Sequence, residues 1–136
     1  METIIDDEAA MMALGEEIAR KLQPGNVLAL VGDLGAGKTH LSKGIVAGLN
    51  SRADVTSPTF SLVNEYRDGK LNVFHFDFYR LESVDELEQI GWEEYLEEDG
   101  VLIVEWADKF PEVMPGDTVW FHFEINEDGS RTIQTD

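Results

Sequence analysis

Residues Gly32–Thr39 have the sequence GDLGAGKT, which is the strongest indication of the fold in this chain. It matches the phosphate-binding loop pattern G-x-x-x-x-G-K-[ST]. Glycines let backbone N–H groups turn inward around a polyphosphate, and a following helix points the positive end of its dipole at the anion. In such a loop Lys38 contacts the β and γ phosphates and the Thr39 hydroxyl ligates Mg²⁺. The predicted nucleotide contacts in the loop are Asp33, Gly35, Ala36, Gly37, Lys38 and Thr39.

The residues on either side of the loop supply the context that the pattern requires. The apolar run Val27–Val31 predicts a buried strand before it. Leu41, Ile45 and Leu49 are spaced i, i+4, i+8, which predicts an amphipathic helix after it. A strand, a loop and a helix in this order favour a nucleotide site over a glycine-rich turn without a ligand.

Length and composition limit the possible classes of protein. The chain has 136 residues, which predicts a single domain over residues 1–136. It has no cysteine, which excludes disulfides and zinc–thiolate sites. No apolar run approaches the length of a membrane span, and the acidic start, Met1–Asp7, lacks the basic region of a secretion signal. We therefore expect a cytoplasmic protein without a membrane partner; the sequence leaves the oligomeric state open.

The charge balance argues against tight, direct binding of RNA or DNA. The chain has 28 acidic and 10 basic residues, for a formal net charge of −18. Nucleic-acid phosphates are captured by clustered cations, which this chain lacks. Residues 82–99 contain acidic side chains and no basic ones. This segment is interpreted either as a solvated helical face or as a docking surface for a basic protein.

The pattern along the chain predicts a mixed sheet covered by helices. The predicted strands are residues 2–5, 26–31, 61–66, 71–78, 101–105, 119–125 and 131–134. The predicted helices are residues 7–22, the helix after the loop, one that begins at the capping box of Ser83 and Glu86, and residues 92–97. Asp68-Gly69 lies between two strand-like runs and indicates a hairpin. The predicted fold is a P-loop NTPase-like α/β domain, with a mixed parallel/antiparallel sheet flanked by helices.

Two acidic residues are candidates for the second acidic group that a phosphate loop needs, to hold Mg²⁺ or orient the attacking water. Glu105 ends the apolar strand 101–104, and Asp77 ends the strand that contains His75. Alternation along that strand places His75 and Asp77 on one face and the phenylalanines on the other. Thr59, in a polar loop, is either a γ-phosphate contact or a turn residue after Pro58. His75 and His122 are interpreted as locally satisfied strand residues, and no metal-ligand spacing links the three histidines.

The absence of certain motifs reduces the number of activities that a nucleotide site here could have. The chain has no [NT]-K-x-D guanine-reading element and no D-x-x-G switch, which disfavours a Ras-like GTPase. No segment reads as a lid that would exclude water from a transferred phosphoryl group. ATP hydrolysis or ATP-gated binding is therefore favoured over a small-molecule or peptide kinase. A nucleotide-sensing module with negligible catalysis stays open as a third possibility.

Four sequence blocks resemble the bacterial TsaE (YjeE) family, and the resemblance covers essentially the whole chain. They are GDLGAGKT at 32–39, SPTFSLV at 57–63, HFDFYRL at 75–81 and VEW at 104–106. The resemblance implies a small P-loop ATPase, dependent on ATP and Mg²⁺, that supports N6-threonylcarbamoyladenosine formation in tRNA. It also implies that the chain acts with a TsaB–TsaD complex, which transfers the threonylcarbamoyl group, and that it is a weak ATPase alone.

The resemblance assigns roles by position. Glu105 is similar to the family's Mg²⁺-associated glutamate, which together with Thr39 gives the expected metal set, and Asp77 to its catalytic aspartate. Thr59 falls in the switch-like loop and Trp106 beside the site. The resemblance also implies two further nucleotide contacts. Arg131 is similar to a late arginine of the family, and His40 stands where many members have a second threonine. The backbone N–H of His40 would still contact the α-phosphate, but the hydroxyl is lost.

Overall fold

The computed structural model describes residues 1–33 and 35–135; Leu34, inside the phosphate-loop motif, and Asp136 lie outside the described residues. Within these ranges, seven strands form one sheet with four α-helices. The strands are β1 (Glu2–Ile5), β2 (Val27–Val31), β3 (Val63–Tyr66), β4 (Asn72–Asp77), β5 (Gly100–Glu105), β6 (Val119–Ile125) and β7 (Arg131–Thr135). The helices are α1 (Glu8–Ala19), α2 (Lys38–Gly48), α3 (Val84–Gln89) and α4 (Trp92–Glu97). None of these helices is both long and apolar enough to cross a lipid bilayer.

The strand order is β1-β7-β6-β2-β5-β4-β3, which places the strand before the phosphate loop in the middle of the sheet. β2 pairs in parallel with both β5 and β6, and β5 pairs in parallel with β4. The β3–β4, β6–β7 and β1–β7 pairs are antiparallel. The predicted mixed sheet is therefore confirmed. The carboxyl ends of β2, β4 and β5 meet at one edge, where open α/β sheets bind ligands.

One face of the sheet packs against α1 and α2. Side chains alternate along β2, so that Leu28 and Leu30 join the core under these two helices. The helices approach each other closely where glycine replaces a side chain. A Cβ at Gly44 would lie 2.2 Å from the Met12 carbonyl oxygen, a distance that no side chain tolerates. This close contact holds the N-terminus of α2 in place at the site.

The other face packs an aromatic cluster between β4 and the helices α3 and α4. The Phe76 ring lies edge-on to Trp92 and Tyr95, with ring centroids 5.0 and 5.1 Å apart. Phe74 and Phe78 extend the cluster along the same face of β4. Large aromatic rings bury much apolar area each, which makes this cluster a rigid support for β4. The polar side chains on the opposite face of β4 are thereby held toward α2.

Several predicted boundaries were wrong by a few residues. Helix α1 ends at Ala19, not at residue 22, because Lys21 and Leu22 donate to carbonyls three residues back and tighten the last turn. Strand β3 begins at Val63, not at residue 61, because Leu62 has a φ of 71° and breaks the extended backbone. The predicted cap is present, since Ser83 accepts a hydrogen bond from the Glu86 N–H at 3.3 Å. Gly91, with a φ of 90°, separates α3 from α4.

Candidate functional site

The phosphate loop leads from β2 directly into α2, as the strand–loop–helix pattern predicts. Gly35 and Gly37 have φ values of 81° and 100°, in the left-handed region that favours glycine. A Cβ at Gly35 would meet no atom within 4 Å, so the backbone there faces open space. The N-terminus of α2 lies at this turn and carries the partial positive charge of the helix dipole. The loop therefore has the shape and polarity of an anion cradle.

Lys38 projects from the first turn of α2 into a confined position. It is only 5% exposed, its Nζ donates to the Gly32 carbonyl, and the same Nζ lies 4.1 Å from the centroid of the Trp106 ring. Burial lowers the pKa of Lys38, an effect opposed by the nearby carboxylates of Glu105 and Asp77. The ammonium is thus a partly desolvated cation, which interacts strongly with an anion brought beside it.

Asp77 and Glu105 end adjacent parallel strands and are directly paired in the β4–β5 register. Both side chains lie on the α2 face of the sheet, since their strand neighbours on that face, Val73 and Ile103, belong to the core under α1 and α2. Both residues are buried. The structure therefore brings together the two acids that the sequence singled out, on the same face as Lys38.

Asp77 is held by two donors. Its Oδ2 accepts from the Thr59 hydroxyl at 2.9 Å, and its Oδ1 accepts from the Tyr79 N–H at 2.8 Å. The Ser57 hydroxyl lies 2.7 Å from that of Thr59 and continues the chain of polar contacts. Thr59 lies in the turn that the Leu62 N–H closes onto the Pro58 carbonyl, and its side chain also reaches across to an acid at a strand end. Its contact with a γ-phosphate stays a prediction.

Glu105 has a buried partner that sequence analysis missed. The His75 Nε2 lies 2.6 Å from Glu105 Oε2, and His75 is fully buried. His75 lies in β4, as the sequence predicts for a strand residue, but its partner is on the neighbouring strand β5 and its Nδ1 has none among the described residues. The one available signal was the alternation along β4, which placed His75 on the face of Asp77.

Trp106 follows Glu105 in an unusual backbone conformation. Its φ of 59° lies in the left-handed region, and its backbone N–H donates to the Leu30 carbonyl at 3.1 Å. The ring packs against Tyr79, with centroids 4.9 Å apart, and covers the Lys38 ammonium. This turn aims the indole across the mouth of the site.

Arg131 approaches the loop from β7. Its guanidinium donates to the Gly35 carbonyl at 3.0 and 3.3 Å and also to the Gly129 carbonyl. His40 lies on the same side of the site, with its Nε2 3.3 Å from Glu8 Oε2. Arg131 therefore fixes one peptide of the phosphate loop, and the side chain of His40 is turned toward the start of α1.

These groups line one cavity of about 520 Å³. This volume is within the range of small-molecule sites. Of the predicted site residues, Gly35, Gly37, Lys38, Thr39, His40, Thr59, Asp77, Glu105 and Arg131 line it. The side chains of two others lie elsewhere, since Ala36 is fully buried and Asp33 is exposed.

The wall on the β1 side was not predicted from the sequence. It consists of two apolar side chains, Ile5 and Met11, and three acidic ones, Asp6, Asp7 and Glu8. The cavity thus has a basic and glycine-rich middle, a pair of buried acids on the β4–β5 side and an acceptor-rich wall on the β1 side. This arrangement suits an elongated ligand whose polyphosphate lies over the loop and reaches toward the paired acids, with the rest of the ligand on the β1 side.

Across residues 1–33 and 35–135, no group of three or more His, Cys, Asp or Glu side chains is placed to hold a metal ion. Thr39 and Glu105, the expected metal set, nonetheless line the same cavity. Hard cations such as Mg²⁺ take oxygen ligands, often one or two from protein and the rest from water and substrate phosphates. The donor set is therefore compatible with Mg²⁺ that arrives with a nucleotide, and not with a dedicated protein cage.

Comparisons with known proteins agree with the resemblance. Residues 5–133 match the model of the family described as TsaE, threonylcarbamoyl adenosine biosynthesis protein. The chain is 42% identical to the tRNA threonylcarbamoyladenosine biosynthesis protein TsaE of Bacillus subtilis, over 89% of this chain and 75% of that protein. It is 34% identical to the Haemophilus influenzae protein of the same name, over 96% of this chain and 85% of that protein.

The fold is also similar to a solved structure. The crystal structure of Bacillus subtilis YdiB superimposes with a TM-score of 0.85 and 33% sequence identity, over 98% of this chain and 82% of that one. The family match spans nearly all of the described residues, including every strand end that forms the cavity. The chain therefore belongs to the TsaE family of proteins of tRNA threonylcarbamoyladenosine biosynthesis.

Proposed function

We propose that this chain binds ATP with Mg²⁺ and hydrolyses it in support of threonylcarbamoyladenosine formation in tRNA, together with a TsaB–TsaD complex. One observation carries the proposal: Lys38, Asp77 and Glu105 line a single cavity against the phosphate loop. A cation for the transferred phosphate and two acids for metal and water are the parts that phosphoryl transfer to water needs.

The phosphate end of the site would be formed by the loop and the start of α2. The open space at Gly35 leaves room for phosphate oxygens near the backbone, and the Lys38 ammonium would neutralise negative charge on the terminal phosphates. Thr39 and Glu105 would hold Mg²⁺, which when bound neutralises charge on the phosphate oxygens. In a site that excludes water, these interactions are stronger than at an exposed surface.

Asp77 is the better candidate to orient the attacking water. Each of its oxygens already accepts one hydrogen bond, from Thr59 and from the Tyr79 N–H. A carboxylate has about four lone-pair sites, so both oxygens keep the capacity to accept a hydrogen from water. The two existing bonds fix the carboxylate plane, and a fixed acceptor positions water better than a rotating one.

The wall on the β1 side would receive the base. Ile5 and Met11 offer apolar contact to a ring, and the carboxylates of Asp6, Asp7 and Glu8 only accept hydrogen bonds when ionised. The exocyclic amino group of adenine can donate to such acceptors, and so can the N1–H and N2 amino group of guanine. The preference for ATP over GTP therefore rests on the absence of an [NT]-K-x-D guanine-reading element and not on this wall.

Charge supports a protein partner that itself holds the tRNA. With a formal net charge of −18, the chain repels phosphate backbones. The acidic side chains of α3 and α4, including Glu88, Glu93, Glu94 and Glu97, lie together on the surface. A basic protein surface would be attracted to them over a Debye length.

The test combines purified wild-type chain with TsaB, TsaD, tRNA, ATP with Mg²⁺ and threonylcarbamoyl-adenylate as donor of the transferred group, and follows both phosphate release and repeated modification of tRNA. We expect ATP hydrolysis that the partners stimulate, and modification that stops early when the chain is omitted. An Asp77→Asn variant serves as the control, because it would bind nucleotide but not hydrolyse it. No effect of the chain on either reaction would contradict the proposal. Transfer of labelled γ-phosphate to an acceptor, in place of its release, would favour a kinase.

A further inference from the structure

His75 is the buried polar group that the proposed reaction leaves unexplained. It lies in the interior of β4, fully buried, with the core residues Val73 and Ile103 close by in the β4–β5 pairing. Its Nδ1 has no hydrogen-bond partner within residues 1–33 and 35–135. An apolar side chain would fill this place without an unpaired nitrogen, so stability alone gives a poor reason for a histidine here.

The contact with Glu105 gives a better reason. The His75 Nε2 lies 2.6 Å from Glu105 Oε2, the length of a strong, charge-assisted hydrogen bond. An ionised carboxylate can only accept, so with Glu105 ionised this contact requires the His75 tautomer that carries hydrogen on Nε2. In the part of the chain that the structure describes, Glu105 makes no other side-chain hydrogen bond. His75 therefore determines which way the carboxylate of Glu105 points.

The backbone makes this contact stiff. His75 is paired with Ile103 and Asp77 with Glu105, so His75 precedes Asp77 by one pleat on the same face. The aromatic cluster behind β4 prevents the strand from moving away. With Oε2 held by His75, the other oxygen, Oε1, makes no side-chain hydrogen bond among the described residues and has both lone pairs free for a ligand in the cavity. In such an arrangement, a residue that does not touch the metal, here His75, orients through a hydrogen bond the side chain that does, here Glu105.

We infer that His75 is a positioning residue: its Nε2–H fixes the Glu105 carboxylate in the orientation that Mg²⁺-dependent nucleotide binding and hydrolysis require. The inference rests on the proposed function, because it assigns Glu105 to the metal. His75 itself does not line the cavity. It acts through Glu105, and so its removal changes the reaction without removing a contact to the nucleotide.

Two amide substitutions test the inference as a matched pair. In His75→Gln the amide nitrogen lies as many bonds from the backbone as Nε2 and can donate to Glu105. In His75→Asn the amide nitrogen takes the place of Nδ1 and cannot reach. The measurements are kcat and KM for ATP, the Mg²⁺ concentration for half-maximal activity, ADP affinity by calorimetry with and without Mg²⁺, and the thermal unfolding midpoint.

We expect His75→Asn to lower kcat and the Mg²⁺-dependent gain in ADP affinity by about 10–100-fold, the usual effect of losing an outer partner of a metal ligand. ADP affinity in EDTA should be unchanged, and His75→Gln should keep most of the wild-type activity. The unfolding midpoint shows whether each variant is folded, so that a loss confined to Mg²⁺ dependence is separated from a loss of fold.

Three results would overturn the inference. If both variants match wild type, Glu105 needs no orientation by His75. If both lose activity and ADP affinity in EDTA to the same extent, His75 has a structural role. If the wild-type chain itself neither binds nor hydrolyses ATP, the proposed function fails and this inference fails with it. The first two leave the proposed function standing, so the two failures are distinguishable.

Discussion

Lys38→Met is the substitution that separates ligand binding from folding most clearly. Lys38 is buried against Trp106, and the one hydrogen bond of its ammonium among the described residues goes to the Gly32 carbonyl. Methionine fills a similar volume and keeps contact with the indole, but it removes the charge. The variant should therefore lose affinity for nucleotide while the fold persists.

The size of the affinity loss follows from the position of the ammonium. A hydrogen bond between charged groups contributes about 1.5–3 kcal/mol when it forms in a protein. At about 1.4 kcal/mol for each factor of ten, its removal should weaken ATP and ADP binding by about tenfold to a hundredfold. Lys38 must leave the Gly32 carbonyl to reach a phosphate, which places the expected value toward the lower end.

Lys38→Met should not lower the free energy of unfolding, in contrast to its effect on nucleotide affinity. Burial lowers the pKa of Lys38 more than Glu105 and Asp77 raise it, so below that pKa the ammonium costs folding free energy. Lys38→Met should thus unfold at the same temperature as wild type at pH 7, or at a higher one. This gain should shrink as the pH rises toward the ordinary lysine pKa, because the amine then becomes neutral in both the folded and the unfolded state.

The assays are ADP titration by calorimetry and thermal unfolding at two pH values. Lys21→Met is the matched control, since it removes the same charge from an exposed side chain outside the cavity. The control should bind ADP as wild type does. Unchanged ADP affinity in Lys38→Met, or a large loss of stability at pH 7, would refute the reasoning.

Three further predictions concern other parts of the molecule. Asp77→Asn should slow ATP hydrolysis by about a hundredfold or more while ADP still binds, because it replaces one carboxylate oxygen by an NH₂ donor and removes the negative charge that attracts the hydrogens of water; an unchanged rate, with exposed Asp117→Asn as the control, would contradict this. Gly44→Ala should destabilise the chain by about 1–3 kcal/mol in urea unfolding, because the new methyl group meets a backbone carbonyl of α1 at 2.2 Å. Gly116→Ala, whose Cβ would meet nothing within 4 Å, should change little, and equal unfolding midpoints would refute the packing argument. Nucleotide binding should alter indole fluorescence by drawing the loop lysine away from Trp106, and a signal that survives in Trp106→Phe would have another source.

The elements of the fold were predictable wherever a local sequence pattern is compatible with only one kind of secondary structure. The run Val27–Val31 and the glycines after it predicted the central strand, the loop and the helix, and the structure contains all three. The order of the strands was not predictable, because hydrophobic alternation shows which face of a strand is buried but not its neighbours. The insertion of β7 between β1 and β6 is such a case. It brings Arg131 to the phosphate loop.

The site residues were predictable where an acidic side chain stands at the end of a predicted apolar strand. Asp77 and Glu105 follow apolar runs, and parallel strands bring such ends together. The position of His75 against Glu105 depends on the β4–β5 register, which the sequence does not specify. The left-handed turn at Trp106 likewise depends on its tertiary hydrogen bond to Leu30. These two features complete the site; alternation along β4 indicates the face of His75, but no local pattern specifies its contact with Glu105 or the turn at Trp106.

The central claim is that the glycine loop and Lys38 bind the phosphates of ATP, and the most direct test is equilibrium dialysis of the folded wild-type chain against labelled ADP and ATP with Mg²⁺. We expect saturable uptake of one nucleotide per chain, weakened by Lys38→Met and unaffected by Lys21→Met. Folded chain that takes up neither nucleotide, or takes up both equally well after Lys38→Met, would contradict it.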